Sequence, residues 1–432
     1  MTVTATSDRS TPAFLAVWVP SLIVIIATGA CLFTVSWWIG KAPGGGAALG
    51  LVIGFSSVIS LLTVAAVSGV IDRADSRTTL VRLLLLMTLP VAGLVYVVGQ
   101  EPAGAVVLLA GTCYVLISTG ESLYLAATET VAVDLAPTSW PQTRTALLTQ
   151  IHSQVERVVG PLLTGLLIAA GAVGVVPLTA VAVVVCMIGA TLLARRHLDA
   201  VTRRRLGAAD APEPKPASVL RGLVRDAKPA VSLVRRHRDL TFLVQLGVLA
   251  NLIVFPFYAV LPAVLGEYTS DATDLAVWFG RAATAYGAGM LVGSLALTRL
   301  RRDFRGTAAM ACASASLGVI CLVLVGAAAG QAPVLVVAAM AANGALFSVL
   351  VAVGGAVWLH RTPAEVRVRV FALRRLTVYS SIPVGTMLMG FGGAAVGYRT
   401  FVQALAVVVL LLLIVAWVRF RASRPLNETE GS

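Results

Sequence analysis

The sequence predicts an all-α integral membrane protein of twelve transmembrane helices in two six-helix pseudo-symmetric halves, and three observations carry that prediction. The 432 residues are 58% hydrophobic and only 12% charged, with mean hydropathy +0.90, more apolar surface than a soluble core of this length buries. Apolar runs of about 20 residues, the length needed to cross a bilayer, recur from end to end between short Gly, Pro or charged breaks. Pro141 and Pro161 have the same spacing as Pro363 and Pro383, and the shift that superposes the pairs also carries Gly171 onto Gly393.

In order, the first half holds runs at 14–39, 47–70, 80–98, 103–133, 146–170 and 175–193. The second holds 240–265, 275–297, 308–328, 334–359, 370–395 and 401–418. The first run is too long for a cleavable signal and lacks a small-residue cleavage site, so it reads as a retained helix. Trp18, Trp37, Trp38, Trp140, Trp278, Trp358 and Trp417 fall near span ends, where indole prefers the interface. The expected domains are 1–194, a cytoplasmic linker at 195–239, and 240–432. The linker carries Arg203, Arg204 and Arg205 and a Pro-rich stretch. After these, Val219, Leu220, Leu223, Val224 and Val231 at helical spacing read as an amphipathic helix on the inner leaflet.

The net charge of +13 would point to nucleic acid in a soluble chain, but its placement describes topology. Loops of one parity hold Lys41 and Arg399; those of the other hold Arg73, Arg77, Arg144, Arg299, Arg301, Arg302, Arg305, Arg361, Arg367 and Arg369. The arginine-rich side is cytoplasmic by the positive-inside rule, which puts both termini inside and no nucleic acid among the partners. Cys31, Cys113, Cys186, Cys312 and Cys321 lie in apolar helix without metal-ligand spacing and read as packing residues. No Gly-rich Lys loop for a nucleotide, no metal cluster and no Gly-x-Ser-x-Gly elbow occurs, so no cofactor is implied, an enzyme is not expected, and an ion gradient would drive active transport.

Two groups of residues carry chemistry. The first is the loop from Gly69 to Arg77: a Gly permits close helix approach, an Asp accepts hydrogen bonds at a helix N-terminus, and Arg73 and Arg77 can pair with acids beneath the membrane. The second is a set of polar residues inside apolar spans. Glu121 sits near the middle of the fourth span, where an ionised carboxylate costs about 2.5 kcal/mol unless it faces a cavity or partner. It is a candidate for proton or cation binding, beside Tyr124; an ion pair with Arg157 on the fifth span is the structural alternative. In that case Glu156 becomes the better proton site, with His152 four residues away on its helical face. Glu129 reads as a gate or interfacial residue. Asn251, Gln245 and Tyr379 are polar enough to line a cavity. Arg281 can pair with Glu267, Asp271 or Asp274 at the outer mouth, or simply reach the interface.

These features together resemble the major facilitator superfamily over nearly the whole chain. Gly69, Asp72, Arg73 and Arg77 match its signature loop between the second and third spans, with Thr78 where a second basic residue is usual. The resemblance implies a conformational latch in which Asp72 meets the start of the eleventh span and Arg77 an acid at the end of the fourth, here Asp134. Gly120-Glu-Ser-Leu-Tyr-Leu-Ala-Ala-Thr-Glu129, with Gly160-Pro161 on the fifth span, is similar to the enterobactin-exporter and macrolide-efflux branch, although Leu125 replaces that branch's Asp. Gly160-Pro161 also resembles the export-associated kink, and Pro383 marks the matching kink in the second half. The implied function is proton-coupled efflux of a small amphipathic drug, siderophore or metabolite by alternating access, as a monomer in a bacterial cell membrane. A nutrient permease is the alternative within transport, and a membrane sensor or enzyme the alternative outside it.

Overall fold

The computed structural model describes residues 10–42, 44–73, 75–135, 155, 159–193, 198–199, 231–299, 306–362 and 367–422. Every element among them is a helix: α1 Ser10–Gly40, α2 Gly45–Arg73, α3 Ser76–Val98, α4 Gly104–Leu135, α5 Val159–Ala169 and α6 Val175–Leu193. There follow α7 Arg238–Ala259, α8 Leu261–Gly266, α9 Ala272–Arg299, α10 Gly306–Ala329, α11 Pro333–Arg361, α12 Arg367–Tyr379, α13 Ser381–Val396 and α14 Tyr398–Ala422. Nine of the described helices are long and apolar enough to cross a membrane. Of the predicted linker helix only the end at 231–236 is described, and it is helical; the rest lies outside the described residues.

The three remaining expected spans differ for separate physical reasons. The fifth is described only over α5. The eighth, α9, is built from Gly, Ala and Ser that trade hydropathy for close packing. The eleventh, expected as one span kinked at Pro383, divides at Ser380 into α12 and α13, three residues before that proline. A proline cannot donate to the carbonyl four residues back and its ring crowds that turn. The adjacent Val378 carbonyl is instead satisfied by Ser381 Oγ at 2.6 Å and Asn251 Nδ2 at 2.9 Å. The seventh span divides likewise at Val260, between Pro256 and Pro262.

The chain forms two compact units, one of residues 1–42 and 55–214 and one of 43–54 and 215–432, so the first turns of α2 group with the second unit. In the first unit α3 packs on α4 and α6, and α1 on α4 and α6. In the second, the corresponding pairs recur: α10 on α11 and α14, and α7 on α11 and α14. The duplicated proline spacing thus accompanies a duplicated packing pattern.

Burial follows the environment of a bilayer. Leu89 is 80% and Leu193 87% exposed, as lipid-facing side chains are, while Phe14, Trp38, Leu84, Phe257 and Phe279 are buried inside their units. The buried hydroxyls of Thr28, Thr34 and Thr128 bond to Val24, Ala30 and Tyr124 carbonyls within their own helices, so those three need no partner outside the helix. The interfacial tryptophans meet cations: Trp37 with Lys41, Trp278 with Arg281, Trp358 with Arg374 and Trp417 with Arg421. The five cysteines are free thiols, Cys31, Cys113 and Cys321 among them buried.

Candidate functional site

In the first unit the residues around Glu121 come from three helices. Gly120 precedes it on α4 because α3 approaches there: a Cβ at Gly120 would lie 2.6 Å from Met87 Cγ. This contact fixes the face of α4 on which Glu121 stands. Glu121 Oε2 is buried, and the carboxylate lies within electrostatic reach of Cys31 on α1, itself 0% exposed. Tyr124, one turn on, is 3% exposed. The fifth helix closes against the same part of α1: Gly160 packs on Ala30, and Thr164 donates to the Ala30 carbonyl at 3.2 Å. The Gly160-Pro161 step and the Cys31–Glu121 pair therefore share one neighbourhood, with Ala30 next to Cys31 in sequence. His152, Glu156 and Arg157 lie outside the described residues.

The latch residues are described in part. Gly69, Asp72 and Arg73 lie in the last turns of α2 and Asp134 near the end of α4, but their side chains are outside the described residues, and Arg77 is half-buried in the first turn of α3. The acid that caps α3 is Asp75, whose Oδ2 accepts from the Thr78 backbone N–H at 2.8 Å and from the Thr78 hydroxyl. The Thr78 departure from the superfamily loop thus has a local use: it completes the cap.

In the second unit Asn251 is 3% exposed and spends its amide on the Val378 carbonyl at the break between α12 and α13. Tyr379, beside that break, is 46% exposed. Arg281 lies over the Trp278 ring at 5.0 Å, while its expected acids are engaged elsewhere. Asp271 caps α9 by accepting from Thr273 and Asp274 N–H groups. Glu267 accepts from the backbone N–H of Tyr398 and Arg399, at the positive end of α14. Arg399 in turn donates to the carbonyls of Ala328, Ala329 and Gly330 at the negative end of α10, and covers the Tyr268 ring at 4.7 Å. Burial pushes the Tyr268 phenol above its ordinary value despite the pull of Arg399, so it stays a donor to the Ala327 carbonyl at 3.0 Å.

Three features escape a reading of the sequence alone. Asp239 and Arg361 pair at the arginine-rich end. Gly289, Gly293 and Gly344 bring α9 and α11 into backbone contact: a Cβ at Gly344 would run into the Tyr286 carbonyl, and one at Gly289 into that of Ala341. The four-residue spacing of Gly289 and Gly293 is the available signal for that contact. Asn343 is 0% exposed, with neither amide atom hydrogen-bonded among the described residues. An unmade bond to a buried polar group costs about 1–3 kcal/mol.

No model of a known protein family matches the chain, and no curated protein does. Solved structures do. The nucleoside transporter NupG has TM-score 0.68 at 12% identity, covering 95% of this chain and 100% of its own. This chain has the major facilitator fold. A bacterial homologue of the iron transporter ferroportin, inward-facing, has TM-score 0.66 at 14% identity, covering 96% of this chain and 99% of its own. A bacterial homologue of the human lysosomal transporter Spinster has TM-score 0.63 at 13% identity, covering 96% and 97%. With this fold the chain is a multi-pass membrane protein, and the likeness shows the fold alone.

Proposed function

We propose that the chain is a secondary active transporter that exports a small amphipathic molecule in exchange for protons, by alternating access, from the cytoplasm of a bacterial cell with both termini inside. The observation that carries this reading is Glu121: a carboxylate with a buried oxygen in mid-span, against Cys31 and one residue along α1 from the contact with Gly160. Protonation there would neutralise the group and change the packing of α1, α4 and α5. The transporter neighbours support the general class; direction and coupling rest on Glu121 and on the resemblance of the Gly160-Pro161 step to export proteins.

Asp72, Arg73, Arg77 and Asp134 form the latch in this reading. Asp72→Asn impairs transport while sparing substrate binding; a variant that loses binding but cycles normally would remove the latch. Everted vesicles from cells expressing the chain accumulate an uncharged fluorescent amphipathic probe such as Nile red when a proton gradient is imposed. Accumulation that persists after the gradient is collapsed overturns the coupling.

A further inference from the structure

Three helices of the second unit, α7, α9 and α11, surround a group of side chains that belongs to neither the proton site nor the latch. Phe347 on α11 meets Phe255 on α7 edge-on, with ring centroids 5.4 Å apart and planes at 85°. One turn along α7, Tyr258 meets Tyr286 of α9 at 5.1 Å and 47°. The Tyr286 carbonyl lies against Gly344. The residue before Gly344 is Asn343, which is one turn from Phe347 on the same face of α11. Asn343 therefore stands on the face of α11 that carries Phe347 and its contact with Phe255.

The group has an open and a closed side. Phe347 and Tyr286 are buried, while Phe255 and Tyr258 are half-buried, so the α7 rings are the approachable side of the group. Asn343 brings a donor and an acceptor side by side, both without partners among the described residues. Residues 240–259, 282–298 and 333–359, which build the walls, contain no Asp, Glu, Lys or Arg. Nothing there would neutralise an ionised ligand, and burying one unpaired is strongly unfavourable.

We propose that this cluster binds a flat, uncharged ring system whose edge carries a hydrogen-bond donor next to an acceptor, as a lactam does. Asn343 Nδ2 donates to the ligand's acceptor, Asn343 Oδ1 accepts from its donor, and the rings of Phe255 and Tyr258 turn to admit and then cover its faces. This names the substrate class of the transporter reading and rests on it; direction and proton coupling do not enter.

The test uses the purified full chain in detergent, without any gradient, titrated calorimetrically with quinolin-2-one and with N-methylquinolin-2-one, which keeps the ring and loses the donor. The native protein binds quinolin-2-one about tenfold more tightly, the effect of one buried hydrogen bond. Asn343→Leu, close in volume and needing no polar partner, melts no lower than the native protein and binds the two probes equally. Phe255→Leu, on the open side, weakens both probes alike. Equal binding by the native protein, binding of neither probe, or a preference retained in Asn343→Leu each overturns the proposal. A chain that discriminates the probes but fails the vesicle assay keeps this site and loses the export reading. One that moves Nile red but binds neither probe loses this site alone.

Discussion

Arg361 donates from Nε and Nη2 to a single carboxylate oxygen of Asp239, at 3.1 and 2.8 Å, joining the last residue of α11 to the second residue of α7. Asp239 is 7% exposed, and Arg238 stands 3.8 Å away on its other oxygen. The carboxylate sits in the first turn of α7, where the helix dipole also favours it. Arg361→Ala leaves that carboxylate buried with its main partner gone. Because the arginine side chain is 42% exposed, solvent screens the pair and the expected loss is about 1–2 kcal/mol, below that of a fully buried pair. Thermal melts in detergent should show a lower midpoint for Arg361→Ala, partly restored by adding Asp239→Asn. An unchanged midpoint would mean the pair contributes nothing.

Gly344 and Gly355 lie on the same helix and predict opposite outcomes. A methyl at Gly344 meets the Tyr286 carbonyl, a backbone atom that cannot turn aside, whereas one at Gly355 meets nothing within 4 Å. Gly344→Ala is expected to destabilise by about 2 kcal/mol or more through overpacking. Gly355→Ala is expected to be neutral or to stabilise by up to about 1 kcal/mol through helix propensity. Paired melts decide this, and equal effects at the two positions would refute the backbone contact between α9 and α11.

Glu267 and Arg399 act on opposite helix ends. Glu267→Gln keeps one of the two acceptor oxygens, because an amide nitrogen cannot accept, and loses the charge, so about 1 kcal/mol is expected. Arg399→Ala uncovers carbonyls at the end of α10 and should cost more, about 1–3 kcal/mol. Hydrogen exchange should quicken for Arg399→Ala at the end of α10, and for Glu267→Gln in the first turn of α14. Uniform protection in both variants would show that neither group holds its helix end.

Glu121→Gln mimics the protonated carboxyl permanently. In everted vesicles the variant should lose gradient-driven Nile red accumulation and show no dependence of residual flux on pH, while quinolin-2-one binding is retained. Accumulation at the native level would move the proton site away from Glu121.

Hydrophobic length and charge are local properties, so the chain by itself determined the membrane class, the two six-helix halves, the arginine-rich end and Glu121 as the costly mid-span carboxylate. It also determined that Pro383 would disturb the eleventh span, since a proline removes its own donor wherever it sits. Tertiary structure decided what depends on which faces meet. It gave Glu267 to the N–H groups of α14 and Arg281 to Trp278, although sequence placed those two near each other. It joined Asp239 to Arg361 and set Asn251 on the Val378 carbonyl, pairs far apart in the chain. It also left Asn343 at 0% exposure with no partner for its amide among the described residues. Helical periodicity says which residues share a stripe; which neighbour covers that stripe is settled only when the helices pack, because in lipid every apolar face is an equally acceptable exterior.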